Sequence, residues 1–479
     1  MKKLIVKIFA FLFALGVSLN GITFTPEVVK GAEKSITVFS WEDYMEIASD
    51  DERSEENDLL YQFEQETGIQ VEYITFSTNE EMYNELIKNP NACDLICPSE
   101  YMIMKMMEED LIKPYSIPEN WKTYGSPYIQ QTFEKLGFNC GEDKTFAIGY
   151  MWGTMGFIFN MDEVAPENLN RWKCIWNEEF TNKVTIKDSI RDSYIMALGA
   201  LYEEQLLALQ ENYENGLLTR DEYVDRVYKY FNLTDEYTIT EVEGLLKSLK
   251  PNLYGFEVDS GKNDILDGKI NVNFAWSGDA VYAMDEGDSA GVNLGYIVPN
   301  EGSNVWFDGW VMPKNANEEL AVEFLNFIST PDAAIRNMDF IGYTSCIASD
   351  EVFERAVEYY EVEDGEYTID LNYFFGGEEN GKYLIKTDSL YRQGATQYPD
   401  MAIIDRCAVM GAFTQDTLQR INKMWENVKF ITFPTYIIWI VVGIVLFIFL
   451  AVLFFKYKDN LAIFNKRKKG GKIIKIEKI

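Results

Sequence analysis

Three short segments of this chain set an indole beside a carboxylate: Trp41-Glu42-Asp43-Tyr44, Trp276-Ser277-Gly278-Asp279 and Trp306-Phe307-Asp308. An ammonium group is drawn to the face of an aromatic ring by about 0.5 to 2 kcal/mol, and a carboxylate adds a charge-assisted hydrogen bond. Methylene stretches between ammonium groups would lie along the same rings, so a slim polyamine suits this inventory better than a sugar or a metal ion. With 10 Trp, 29 Tyr and 31 Phe in the chain, any one such pair is equally a core aromatic beside a solvated acid. Three together argue for a cage.

Other chemistries are thinned out. The chain has no histidine, which removes Ser-His-Asp and Cys-His nucleophiles and the commonest metal ligand. Neither a metal nor a cofactor is expected: Gly149, Gly153 and Gly156 carry neither the Walker lysine nor the dinucleotide-binding pattern. Of the six cysteines, Cys93, Cys97, Cys140, Cys174, Cys346 and Cys407, the first two share one face of a strand, too far apart to bond each other. They read as core thiols. Among 77 acidic residues no particular pair suggests glycoside hydrolysis, so a surface hydrolase is a distant third reading and the chain is expected not to be an enzyme.

The elements that must position these residues follow from periodicity. A β-branched run from Ser35 to Ser40 ends at Trp41; Asp58 to Glu64 reads as a helix stopped by Gly68; Ile69 to Tyr73 alternates as a strand. A helix from Glu80 to Ile87 and a strand over 93–97 complete β-α-β-α-β, the signature of an α/β lobe with a largely parallel sheet. Trp41 and Ser99 then lie at strand C-terminal ends, where such sheets bind ligands. Phe146 to Asn160 is extended and reads as a crossing to a second lobe, with Val184 to Ile186 as a strand feeding a helix. Glu203 to Asp235 is an acidic helical elaboration with Leu206, Leu207, Leu209, Tyr213 and Leu217 on one side. Ile270 to Trp276 is a further strand, and Trp310 to Pro313 reads as the return crossing after the third cluster. A last helix is expected from Ala412 to Val428.

Both ends read differently. Met1-Lys2-Lys3 and the uncharged run Ile8 to Val17 have the form of a secretory signal, placed at 1–31. Residues 430–455 are 26 in a row without a charge, and a bilayer needs about 20, so a transmembrane helix is expected there. The basic tail at 456–479 is placed in the cytoplasm by the positive-inside rule. This gives a single-pass cell-membrane protein with its binding domain outside. Residues 1–33 carry net +2 and residues 456–479 net +7, so the total of −34 leaves −43 on residues 34–455. Charge of that sign repels nucleic acid, which is not expected as a partner, and attracts cations.

The order of these pieces resembles the extracellular solute-binding proteins of polyamine ABC transporters, the spermidine/putrescine-binding family. It is carried by Phe39 to Tyr44, Phe63 with Glu66-Thr67-Gly68-Ile69-Gln70-Val71, Asp94-Leu95-Ile96-Cys97-Pro98-Ser99-Glu100-Tyr101, the Trp276 and Trp306 clusters, and Ile341-Gly342-Tyr343. The resemblance implies an α/β two-lobe, periplasmic-binding-protein-like fold of type II with a two-strand hinge. Lobe 1 would comprise 34–148 and 307–335, and lobe 2 149–306 and 336–428. It further implies aromatic walls from Trp41, Tyr44, Tyr101, Trp276, Trp306 and Tyr343, carboxylates from Asp43, Asp192, Asp279 and Asp308, and a polar contact from Ser99. Ser189, beside Asp188, stands where spermidine binders use an acid, and Glu42 where some members have Ser or Thr, so the choice among putrescine, spermidine and another amine stays open. ABC permease subunits with their ATPase are the implied partners. The alternatives are the same fold with another solute, or a sensing ectodomain acting through a partner.

Overall fold

The computed structural model describes residues 34–430 apart from 50, 51, 142, 379 and 380, and residues 439–457 apart from 441 and 456. Strand Ser35–Trp41 pairs in parallel with Gln70–Phe76 on one side and Leu95–Ile96 on the other. Helices Leu59–Thr67 and Asn79–Lys88 make the connections. The first buries Leu59, Leu60 and Phe63; Asp58 caps its start by accepting from the Tyr61 N–H, and Gly68 ends it at φ 69°, a left-handed cap that glycine adopts without strain. The expected strand over 93–97 shortens to Leu95–Ile96. Asp94 and Cys97 still donate their N–H groups to the Thr37 and Phe39 carbonyls, but the Asp94 carboxylate accepts the Thr37 and Asn317 N–H groups, and Pro98 has no N–H to extend the ladder.

The second lobe centres on Val184–Lys187, which pairs in parallel with Leu253–Glu257 and Val272–Trp276. Two long strands join the lobes. Ala147–Asn160 is buried along all its length but the last residue, and its 14 residues reach roughly 45 Å at strand rise. Val305–Pro313 runs antiparallel to it, from Val305 opposite Thr154 to Val311 opposite Ala147, with a register shift between Asp308 and Gly309. Across the joined sheet the order is 70–76, 35–41, 95–96, 305–313, 147–160, 272–276, 184–187, 253–257. This is the two-lobe α/β arrangement. The third Trp cluster lies within the same strand as Trp310 to Pro313, and Asp308 sits at the point where its register slips.

The acidic helical segment is two helices, Glu203–Glu214 and Arg220–Phe231, the second opened by a Thr219–Glu222 capping box. Gly216 at φ 70° breaks the expected stripe, so Leu206 and Leu209 are buried while Leu217 is exposed. Gln415–Lys429 packs against helix Glu236–Leu249, with Trp425 edge-on to Phe256 at 5.4 Å. All six cysteines are free, and Cys93 and Cys97 are buried.

The expected membrane crossing over 430–455 is not found. Among the described residues no helix is long and apolar enough to cross a membrane. Of that stretch, residues 431–438 and 441 lie outside the described residues. An uncharged run is a property of composition and does not by itself make a spanning helix. The single-pass cell-membrane placement falls with the span, as do the cytoplasmic tail and the membrane as a partner through a C-terminal helix. The signal segment at 1–31 lies outside the described residues, as does the tail at 456–479 except for Tyr457.

Candidate functional site

Strand ends and helix starts deliver the polar groups. Trp41 ends its strand, and Ser99 stands immediately before helix Glu100–Glu108. Trp276 ends a strand and opens helix Ser277–Ala290, which carries Asp279 in its first turn. Lys187 ends another strand, after which Ser189 caps helix Ile190–Leu201 by accepting from the Asp192 N–H.

Asp308 is the centre of the arrangement. The Tyr44 hydroxyl donates to its Oδ2 at 2.7 Å, and Tyr44 is itself held by the Tyr150 hydroxyl, which donates to its carbonyl at 2.6 Å. Asp308 bridges Ser99 through the backbone. Its Oδ1 is buried and accepts no well-formed hydrogen bond among the described residues, the Ser99 hydroxyl being the nearby group that stabilises this carboxylate besides Tyr44. Burial pushes the Asp308 carboxyl up to about 6, with Ser99 and Tyr44 pulling part of the way back. Behind it Glu100 accepts from the Phe307 N–H at 3.0 Å; burial pushes this carboxyl up to about 8 against the pull of that N–H. At neutral pH the pair therefore carries a single negative charge, on Asp308.

Around that charge stand rings. Tyr343 meets Tyr44 edge-on at 5.6 Å and Trp306 at 5.4 Å, and the Trp306 indole N–H donates to the Thr154 carbonyl at 3.4 Å. The Tyr343 hydroxyl donates to Asp279 Oδ1 at 3.1 Å. Asp279 Oδ2 is taken by Lys187, whose Nζ lies 3.0 Å away and 4.1 Å from the centroid of the Trp276 ring.

On another side Asn79 Nδ2 donates to the Tyr101 hydroxyl at 2.9 Å and to Ser99 Oγ at 3.1 Å. The Arg191 guanidinium, from the second lobe, covers the Tyr101 ring at 3.6 Å and donates to the Gly411 carbonyl. This contact links helix Ile190–Leu201 to helix Glu100–Glu108. Asp192 is buried beside it, and burial raises its carboxyl to about 6 while Ser189, Lys187 and Arg191 lower it.

The structure thus brings Tyr44, Trp306, Asp308, Tyr343 and Asp279 into one contiguous group, with Ser99 and Tyr101 linked through Asn79 and Trp276 through Lys187. Trp41 is half-buried and packs on Phe76 at 4.7 Å. Asp43 does not join the buried group: it is exposed in a turn with φ 49°. Lys187, Arg191, Glu100, Asn79 and Glu257 were not among the residues expected. Their one sequence signal is position, since Lys187 and Glu257 both end strands.

The family described as bacterial extracellular solute-binding protein matches residues 58–354, well over half the chain. The chain belongs to that family. This solute-binding protein is 29% identical over 289 residues to the spermidine/putrescine-binding periplasmic protein of Escherichia coli (strain K12), covering 60% of this chain and 72% of the relative. It is also 29% identical over 324 residues to the putrescine-binding periplasmic protein of the same organism, covering 65% and 78%. Among solved structures it is similar to the spermidine/putrescine ABC transporter substrate-binding protein of Streptococcus pneumoniae, with 26% identity and a TM-score of 0.56 over 83% of this chain and 98% of that one. A putative spermidine/putrescine ABC transporter from Listeria monocytogenes, 24% identical, has the same fold with a TM-score of 0.60, over 83% and 99%. The relatives from Escherichia coli and Streptococcus pneumoniae are named as binding proteins, which supports a binding rather than a catalytic role.

Proposed function

We propose that this solute-binding protein captures an aliphatic amine of the putrescine and spermidine class and presents it to ABC permease subunits served by an ATPase. The observation that carries the reading is the Asp308 carboxylate, buried, ionised at neutral pH, open at Oδ1 and walled by Tyr44, Trp306 and Tyr343. An ammonium group satisfies all three features: it supplies the missing donor, it compensates the buried charge, and it lies favourably among aromatic rings. Sugars lack the charge, and anions are repelled by it. The names of the relatives point to the same ligands. Closure follows from contacts that a ligand makes with both lobes only when they are together.

Calorimetric titration with putrescine, spermidine and a neutral sugar tests this reading. Low-micromolar or tighter binding of an amine, with no heat from the sugar, is expected; the same heat from sugar and amines would refute it. The pH dependence has a definite sign. A cation needs the ionised carboxylate, and the ligand-free Asp308 takes up a proton near pH 6, so lowering the pH from 7 to 5 should weaken amine binding about tenfold. An ordinary surface carboxylate would leave affinity almost flat over that range, and a flat profile would mean that the ligand meets some other charge.

A further inference from the structure

Lys187 is a lysine standing where a ligand would be expected to bring its own cation. Its side chain is 1% exposed. Nζ donates to the Val258 carbonyl at 2.8 Å and to Asp279 Oδ2 at 3.0 Å, and lies 3.2 Å from Glu257 Oε1. With the Trp276 ring 4.1 Å away, this is an aromatic and acidic ammonium cage of the kind the sequence suggests, built complete with its ammonium.

The cage is saturated. An ammonium has three N–H donors, and three acceptors surround this one. The acceptors have little left to offer a second cation: Asp279 Oδ1 takes the Tyr343 hydroxyl, Glu257 Oε1 also accepts from Asn273 Nδ2, and Glu257 Oε2 accepts from the Gly261 N–H. Driving Lys187 out would require an incoming ammonium to replace all three contacts while the displaced charge found water. Removing one partner from a buried ion pair strands the others at considerable cost. Asp308, Asp192 and Glu100 remain as buried acids of the site that form no salt bridge among the described residues, and since burial pushes Glu100 up to about 8 and holds it protonated at neutral pH, two are left to receive cations.

We propose that Lys187 determines specificity: its ammonium permanently fills the cation position at Trp276, Asp279 and Glu257, so the protein takes a diamine in preference to a triamine. The proposal rests on the reading that amines bind at Asp308. Lys187 in effect contributes one of the cage's ammonium groups from the protein side. A ligand with three ammonium groups then has one without an acid to receive it, set against a fixed like charge.

The test is calorimetry of the full chain with putrescine and with spermidine at one pH and ionic strength. It compares wild type, Lys187→Arg, Lys187→Met and the charge-balanced pair Lys187→Met/Glu257→Gln. Wild type should bind putrescine at least about tenfold more tightly than spermidine, and Lys187→Arg should keep that order. Loss of the lysine should shift the ratio about tenfold or more toward spermidine. A wild-type preference for spermidine overturns the proposal without any variant, and so does an unchanged ratio in a folded Lys187→Met protein. Should the single variant fail to fold, the paired variant, which removes one acid with the cation, gives the same comparison. Absence of heat with either amine in wild type has a different meaning, since then amine binding at Asp308 itself fails and the specificity argument falls with it.

Discussion

Asp308→Asn should lower amine affinity by about 100-fold while leaving the ligand-free protein as stable as before, or more so, above pH 6. The asparagine keeps the shape of the side chain and can still accept from the Tyr44 hydroxyl, which bonds only Oδ2 in the native protein. What changes is the other atom. Oδ1, buried and without a well-formed hydrogen bond among the described residues, is where an ammonium would donate, and an amide offers it either a neutral oxygen or a donor facing a donor. A hydrogen bond to a charged group is worth about 1.5 to 3 kcal/mol, and each 1.4 kcal/mol is tenfold in affinity.

The stability half of this expectation follows from linkage. Burial raises the Asp308 carboxyl to about 6 in the folded protein, above its range in an unfolded chain. A group raised in this way favours the fold while protonated, at low pH, and that contribution is lost as pH rises through about 6. At pH 7.5 the native carboxylate is therefore a burden on the ligand-free fold, and an amide, which never ionises, removes it. Melting curves of both proteins at pH 5 and pH 7.5, beside calorimetry, separate the two effects. A lower melting temperature at pH 7.5 would assign Asp308 a structural role, and unchanged affinity would remove it from the ligand's path.

The frame of the molecule was legible where local signals agree. Asp58 and Gly68 bracket a helix with a cap at each end, and the Phe146 to Asn160 run has no helical period to compete with its extended reading. The three clusters of indole and carboxylate were visible because they fall at strand ends or on a crossing strand. Their partners were not visible, because partnership is tertiary: Tyr44 and Asp308 are 264 residues apart in sequence. Lysine at the end of a strand ordinarily reads as solvated, and only the burial of Glu257 and Asp279 beside it shows Lys187 to be internal. Glu100 reads as a first-turn acid favoured by the helix dipole, yet its carboxyl group turns inward to the Phe307 N–H. Asp43 lies outside the buried group, because a left-handed turn leaves its side chain exposed. The membrane reading rested on composition alone: counting uncharged residues does not by itself establish a spanning helix, and among the described residues none is long and apolar enough.

Gly278→Ala should weaken amine binding about 10- to 100-fold in a protein whose helices are intact. Alanine is the better helix former by about 1 kcal/mol, and Gly278 lies in the first turn of helix Ser277–Ala290, so local preference favours the change. Packing opposes it more strongly. A Cβ at this position would stand 1.8 Å from Tyr343 Cδ1 and 2.1 Å from Cε1, and the whole ring must yield. Tyr343 cannot retreat with its backbone, since Thr344 beside it pairs with Trp152 on the long crossing strand. The ring must rotate instead, away from Asp279, Tyr44 and Trp306. A hydrogen bond to a carboxylate and two edge-on ring contacts, each of the latter worth about 0.5 to 1.5 kcal/mol, are lost together. Tyr343→Phe keeps the ring in place and removes only the hydroxyl, so its loss of affinity should be the smaller of the two. Wild-type affinity in Gly278→Ala would show that the ligand does not use the Tyr343 wall; equal losses in both variants would place the whole effect in the bond to Asp279, and the glycine would then matter only as the gap that lets that bond form.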